Sequence, residues 1–324
     1  MTLARLALAP LTPLYGGVMR LRNFAFDRGL RRVYRLPVPV WSVGNLTVGG
    51  TGKTPLVAWL VEQLRAAGRR PGVLARGYRR PPGALLNDEG RMLAARFPDL
   101  PQEQDPDRVR GGERLVARGV DIVVLDDGFQ HRRLHRDRDI VCVDAARPFA
   151  NGWLLPAGDL REPPSGLRRA QIVVLTRAGA LTPDELARSV ARVRDVAGPG
   201  AAVHAADHAP VALLSRPDDH ELPLAMLRGL RVVLLSAIGQ PRAFEATVGA
   251  LGAIVVRHVV RRDHHAHTEA ELASIAVDLV DRDLVLVTTE KDDAKLAGSQ
   301  VPRLVLRIAM RFVGAAPEVA RWLR

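Results

Sequence analysis

The segment Thr47-Val48-Gly49-Gly50-Thr51-Gly52-Lys53-Thr54 packs three glycines and a terminal Gly-Lys-Thr run into eight positions. Glycines let a backbone take dihedrals that turn several amides toward one point. Amides converging in this way at a helix N-terminus bind phosphate oxygens. Lys53 is placed to reach the β- and γ-phosphates of a nucleoside triphosphate, and the Thr54 hydroxyl to hold Mg2+. The usual form of such a loop, G-x-x-x-x-G-K-[ST], has glycine where this chain has Thr47. The pattern is therefore met in its second half and departed from in its first. Pro55 suits the first turn of a following helix. Further along, Asp126-Asp127 follow the apolar run Ile122-Val123-Val124-Leu125. Carboxylates at the end of a buried strand are what a phosphate loop needs on its metal side. Gly128-Phe129-Gln130-His131 adds polar groups at the same strand end.

Of 47 lysines and arginines, only Lys53, Lys291 and Lys295 are lysine. Where a chain otherwise uses arginine, a retained lysine marks either chance or a task for a compact ammonium that a guanidinium fork cannot perform. The single cysteine, Cys142, excludes an internal disulfide. It stands in the apolar run Ile140–Val143 and reads as a buried strand residue in a chain suited to a reducing compartment.

The elements that must position these residues follow a strand-helix repeat. Val38–Val43 reads as a strand leading into the glycine loop, and Leu56–Val61 as part of the helix after it. Apolar runs at Val73–Ala75, Asp121–Leu125, Ile140–Val143 and Ile172–Leu175 are short, β-branched and unalternated. Such runs suit a parallel sheet covered on both faces. Segments 81–115 and 146–169 are rich in proline, glycine and charge and are expected to be long functional loops. A second set of strands, Leu230–Leu235, Ala253–Val256 and Leu284–Val287, with a helix from Glu269 to Leu279, forms a smaller α/β unit. The expected organisation is a segment 1–35, a phosphate-loop core over 36–208 rejoined by 310–324, and a smaller α/β domain over 209–309. The fold class is α/β, a P-loop NTPase-like parallel sheet with a smaller α/β domain.

Residues 1–35 place Leu14, Val18, Leu21 and Ala25 at helical spacing beside Arg20, Arg22, Arg28, Arg31, Arg32 and Arg35. No stretch reaches the ~20 apolar residues of a spanning helix. The combination reads as a basic amphipathic helix lying on an anionic membrane surface. The alternative is a helix packed on its own domain. The net charge of +12 predicts an acidic partner but leaves open whether it is a membrane, a phosphorylated substrate or nucleic acid. With 4% aromatic residues there is little to stack on bases, so nucleic acid is not expected as a partner. No obligate protein partner is evident. Two rival readings remain: an ATPase that moves on nucleic acid, and a membrane-associated nucleotide sensor without transfer activity.

Over nearly its whole length the chain resembles the tetraacyldisaccharide 4′-kinases of lipid A synthesis. The resemblance rests on Ser42–Pro55, which includes Thr47 in the loop, on Arg76-Gly77-Tyr78 and on Asp126–His131. It continues in Leu155–Pro163, Asp263-His264-His265 and Thr289-Glu290-Lys291-Asp292. It implies ATP and Mg2+ as cofactors and an acylated glucosamine disaccharide 1-phosphate as acceptor. It also implies a peripheral position on the cytoplasmic face of the bacterial inner membrane. Asn87-Asp88-Glu89-Gly90 stands where the family has Gly-Asp-Glu-Pro, so both carboxylates match and both flanks depart. By this resemblance Asp88 and His264 form the catalytic pair, with His264 preferred over His265 by position alone. Residues 47–54 bind ATP, and Thr54, Asp126, Asp127 and Glu89 serve the metal. Asn45, Arg76, Arg108, Gln130, His131 and Arg161 are expected to contact the substrate. No role follows for Thr289–Asp292 beyond a place at the end of a strand.

Overall fold

The computed structural model describes residues 5 and 7–323. In chain order the elements are α1 (Thr12–Asp27), β1 (Val40–Asn45), α2 (Lys53–Ala66), β2 (Pro71–Ala75), α3 (Asp88–Arg96), β3 (Gln102–Gln104), α4 (Arg108–Ala117), β4 (Ile122–Asp126), β5 (Arg138–Asp144), β6 (Ile172–Thr176), α5 (Pro183–Ala197) and β7 (Ala202–Arg216). They continue with β8 (His220–Leu222), β9 (Arg231–Ser236), α6 (Pro241–Ala250), β10 (Ile254–Val260), α7 (Glu269–Arg282), β11 (Val285–Thr289), α8 (Glu290–Asp293), β12 (Arg303–Phe312) and α9 (Val319–Trp322). The chain divides into two units. The first holds the residues up to Tyr78, Leu100–His208 and Met310 onward; the second holds Arg79–Asp99 and Ala209–Ala309.

The first unit is built on a parallel sheet of order β3-β2-β4-β1-β5-β6-β7, closed at β7 by its first residues. Every residue of β1, β4 and β6 is buried. That is why their sequences run as unbroken apolar stretches rather than alternating. The last residues of the chain belong here: Trp322 lies 5.9 Å from Trp41 and 6.5 Å from Trp59 between ring centroids, and Trp59 lies 4.8 Å from Phe312.

Helix α1 packs on this unit through its small and polar face. Thr12, Gly16 and Met19 are buried, and Tyr15 Oη donates to the Arg161 carbonyl at 2.7 Å. The stripe of Leu14, Val18 and Leu21 points the other way and is 68%, 57% and 69% exposed. Helix α1 is thus packed on its own unit, as the alternative reading had it, but by its small and polar face, with the apolar stripe left exposed. No helix among the described residues is long and apolar enough to cross a membrane.

The second unit has strand order β10-β9-β11-β12-β7, with β8 antiparallel to β7. Alternate residues of β9 feed two cores. Val233 and Leu235 pack with Leu272 and Ile275 of α7, while Val232 and Leu234 pack with Phe244 and Val248 of α6.

Two expectations are corrected by these elements. Segment 81–115 is not one long loop: it carries α3, β3 and most of α4. Its first part, 81–99, belongs together with residues 79 and 80 to the second unit rather than to the core. Charge concealed both facts. Helix α3 reads Asp-Glu-Gly-Arg-Met-Leu-Ala-Ala-Arg and buries only two large apolar side chains, Met92 and Leu93. Strand β7 lacks a strand signal in the sequence, because Ala202–Arg216 is alanine-rich and interrupted by two histidines and a proline.

Candidate active site

Gly52 caps α2 in the left-handed region, with φ 85°, and Gly49 has φ 100°. A Cβ on Gly52 would lie 2.4 Å from His208 Nε2, so neither the backbone nor the space admits another residue there. At Gly49 and Gly50 an added Cβ would meet nothing within 4 Å, so the space beside these glycines is open. The loop is anchored from three sides. The fully buried Asn45 donates from Nδ2 to Thr51 Oγ1 at 2.9 Å. Thr176 Oγ1 donates to the Thr51 carbonyl at 2.8 Å, and Arg177 donates to the Gly50 carbonyl. Thr47 forms an antiparallel bridge with Leu160, and Val48 N donates to the Asp159 carbonyl at 2.8 Å. At Thr47 the chain is still paired with a neighbouring segment and has not begun to turn, so that position does not need glycine. Asn45, expected at the substrate, also braces the loop.

Lys53 opens α2 with its Nζ 3.5 Å from Asp127 Oδ1. Asp127 directly follows β4 and has φ 54°, a left-handed conformation uncommon outside glycine. Arg161 Nη1 lies 2.8 Å from both of its oxygens. Burial would raise the Asp127 pKa, but Lys53 and Arg161 outweigh it and hold the carboxyl below its ordinary value. Gln130 Nε2 donates to the Asn45 carbonyl at 2.8 Å and to Glu162 Oε1 at 2.9 Å. Glu162 is fully buried and also accepts from Arg169 at 2.8 Å and from Asn23 of α1 at 3.3 Å. This hub lies in a segment singled out in the sequence, but its central carboxylate was missed. A glutamate between an arginine and a proline gives no outward sign of burial.

Arg108, at the start of α4, is 5% exposed. Its pKa is lowered by burial and by Arg76, against the pull of Asp127, Asp105 and Asp126. Arg76 itself is exposed. Burial, with Arg108, Arg136 and Arg133 nearby, depresses the His131 pKa to about 4, so this imidazole is neutral at pH 7. The buried atoms Asn45 Oδ1 and His131 Nε2 find no hydrogen-bond partner among the described residues. The glycine loop and the cation at its end fit a polyphosphate. The Thr54 hydroxyl and the Asp126 carboxylate are hard oxygen donors that suit Mg2+, whereas Asp127 is already committed to Lys53 and Arg161.

In the second unit, Asp88 is the first residue of α3 and 7% exposed. The helix is capped by Asn87, whose Oδ1 accepts from Gly90 N at 3.0 Å. Asp88 Oδ2 lies 2.9 Å from His264 Nδ1, across 176 residues of sequence. Burial would raise the Asp88 pKa. The His264 hydrogen bond, with Lys295 and Lys291 near, outweighs it and keeps the carboxyl ionised at neutral pH. His264 has φ 68°. The neighbouring His265 does not share this contact and turns to Glu271 at 3.0 Å. Glu89, expected with Thr54, Asp126 and Asp127, belongs to the other unit from them, and its Oε1 lies 3.5 Å from Lys291 Nζ.

The motif Thr289-Glu290-Lys291-Asp292 now has a physical reading. Thr289 caps α8 by accepting from Asp292 N at 3.1 Å. Glu290 holds Arg307 at 3.0 Å. The fully buried Asp292 accepts from Ala237 N at 3.1 Å and from Lys295 at 2.7 Å, and the Ala237 carbonyl accepts from His264 N at 3.3 Å. The motif thus braces the backbone that carries His264.

A groove of about 650 Å³ lies beside α1, lined by Val18, Leu21 and Phe26 together with Arg31, Arg32 and Arg132. Gln130 reaches the same groove, which links it to the base of the phosphate loop.

Residues 4–324 match the family model described as "LpxK: Tetraacyldisaccharide-1-P 4'-kinase". A tetraacyldisaccharide 4'-kinase of Syntrophus aciditrophicus is 40% identical over 319 residues, covering 90% of this chain and 85% of the relative. One of Alkalilimnicola ehrlichii is 41% identical over 306 residues, covering 90% and 84%. The crystal structure of LpxK from Aquifex aeolicus in complex with ATP superposes with a TM-score of 0.79 at 28% identity, covering 99% of this chain and 98% of that one. With a family match across almost every residue, the chain belongs to the tetraacyldisaccharide-1-phosphate 4'-kinase family.

Proposed function

We propose that this protein transfers the γ-phosphoryl group of ATP to the 4′-hydroxyl of a tetraacyldisaccharide 1-phosphate in lipid A synthesis. What carries the reading is the family match over residues 4–324 on a chain that keeps Gly52-Lys53-Thr54 and the Asp88–His264 contact. Phosphoryl transfer asks a protein for positioning and charge stabilisation more than for covalent chemistry. The loop amides and Lys53 grip the β- and γ-phosphates. Thr54 and Asp126 would hold Mg2+, which supplies neutralisation of the phosphate charge. Asp88, ionised and hydrogen-bonded to His264, accepts the proton of the attacking sugar hydroxyl. The buried Arg108 would supply positive charge toward the phosphates or the acceptor.

The acceptor is an amphiphile, and α1 suits it. Its exposed Leu14, Val18 and Leu21 would rest in the headgroup boundary of an anionic leaflet. Nearby arginines would contribute roughly 1 kcal/mol each. The groove beside α1 would receive part of the lipid. This reading puts the protein at the cytoplasmic face of the bacterial inner membrane as a peripheral enzyme. The test is incubation of purified protein with Mg2+, γ-labelled ATP and a lipid A disaccharide precursor. Label appearing in the lipid as a 4′-phosphate is the expected result; ATP hydrolysis with no labelled lipid refutes the reading.

A further inference from the structure

Lys291 touches the Asp88–His264 pair from its far side. Its Nζ lies 3.4 Å from His264 Nε2, 2.9 Å from Asp263 Oδ1 and 3.5 Å from Glu89 Oε1. The opposite ring nitrogen, Nδ1, faces Asp88 Oδ2 at 2.9 Å. An ammonium has three donors and no acceptor, while a neutral imidazole has one of each. Whichever nitrogen faces the ammonium must therefore offer its lone pair. We infer that Lys291 is a positioning residue that fixes the His264 tautomer, with Nε2 unprotonated toward the ammonium and the proton on Nδ1 toward Asp88. The inference rests on the Asp88–His264 reading above and adds a third member to that pair.

The surroundings explain why a device is needed. Besides Lys291, the charged group facing Nε2 is Asp263, whose Oδ2 lies 3.6 Å away. Left to itself, that carboxylate would favour a proton on Nε2. The Nδ1 lone pair would then face the Asp88 carboxylate, two acceptors with no proton between them. Lys291 reverses this by occupying Asp263 through its other oxygen while donating toward the ring. Glu89 and Asp263 in turn hold the ammonium in place. The tautomer of a functional histidine is set by what its second nitrogen meets. With Nδ1–H donating to it, Asp88 keeps its remaining lone pairs free for the incoming hydroxyl proton. The rarity of lysine in this chain agrees: a single donor point is required here, and arginine's planar fork would spread its contacts over neighbouring acceptors.

The test uses the full chain labelled with 15N-histidine, and reads the imidazole nitrogens by two-dimensional NMR at neutral pH. His264→Ala identifies the signals. The wild type is expected to show a protonated Nδ1 and an unprotonated Nε2 at His264. Lys291→Met is expected to move the proton to Nε2 and to lower kcat at least tenfold with the KM for ATP unchanged. Lys291→Arg, which keeps a donor-only cation, should recover part of both. An unprotonated Nδ1 in the wild type, or an unchanged tautomer in Lys291→Met, overturns the inference. The catalytic reading has its own separate readout: if His264→Ala turns over like the wild type, the pair is not catalytic and the role given to Lys291 in turnover falls with it.

Discussion

Replacing Asp88 by Asn and His264 by Ala, singly and together, probes whether the two act on one proton. Their side chains meet at 2.9 Å, and Asp88 is 7% exposed. A hydrogen bond to a charged group at such a site contributes about 1.5–3 kcal/mol. A positioned acid–base group contributes roughly 10²–10⁴ in rate. Each single change should therefore cost kcat/KM on that order. The double variant should be little worse than the more damaging single one, because groups that act as a unit lose their effect once. The pH profile supplies the sign. In the wild type, burial raises the Asp88 pKa and the His264 contact lowers it, with a net lowering. Removing His264 leaves the burial and takes away the strongest opposing contact, so the acid limb of kcat/KM should move to higher pH. The assay is transfer to the lipid acceptor across pH, with His265→Ala as neighbour control. Multiplicative losses in the double variant, or an acid limb that stays in place in His264→Ala, would refute the argument. A damaging His265→Ala beside a mild His264→Ala would do so more directly.

Other outcomes are expected from the same geometry. Lys53→Ala should abolish detectable phosphoryl transfer while leaving vesicle binding intact; near-normal turnover would remove Lys53 from the phosphate site. Gly52→Ala should destabilise the fold by at least the ~1–2 kcal/mol of a left-handed residue bearing a Cβ, with added cost from His208 at 2.4 Å, read by denaturant unfolding; an unchanged midpoint would contradict the packing. Leu14→Glu with Leu21→Glu should prevent sedimentation with anionic vesicles without lowering folded stability, since both side chains point away from the first unit; co-sedimentation equal to wild type would refute a membrane role for α1. Burial depresses His131 and His208 to pKa values of about 4 from an ordinary 6.5. The unfolded chain then binds more protons between those values, so stability should fall as pH drops from about 6.5 toward 4; a flat chemical-denaturation profile over that window would contradict the assignment.

What was legible in the sequence was whatever a strong local pattern encodes. The unbroken runs ending at Leu125, Val143 and Leu175 announced the parallel sheet, because strands buried on both faces cannot alternate. Gly52-Lys53-Thr54 announced the phosphate loop, because few backbones need that freedom beside a cation. Structure governed by distant partners was not legible. Helix α3 forms under a cap from Asn87 and buries little apolar surface, so no periodicity betrayed it. Strand β7 gains its place from its neighbours in each unit rather than from its own composition. The role of Glu290 and Asp292 lies in contacts with Arg307 and Ala237, at separations no motif records.

The placement of 79–99 changes how the chemistry is understood. A base carried on a charged, irregular loop would be free to sample many positions, and transfer to a γ-phosphate tolerates little misplacement. Here the proposed base, Asp88, is the first residue of a capped helix, and His264 beside it is held in a left-handed conformation. That conformation is one that surrounding contacts must enforce. They do so through the Ala237 carbonyl on the His264 amide, and through Asp292 on the Ala237 amide. Asp88, His264 and the Lys291 ammonium come from three stretches of sequence, yet all belong to one folded unit. The internal geometry of the proposed base is therefore fixed by that unit's own packing. The glycine loop proposed to grip the nucleotide is braced separately, by Asn45, Thr176 and the 155–163 segment in the other. Defects in the two functions should accordingly separate in kinetics: losses in the phosphate loop fall on nucleotide affinity and turnover together, whereas losses around Asp88 fall on turnover with ATP affinity retained.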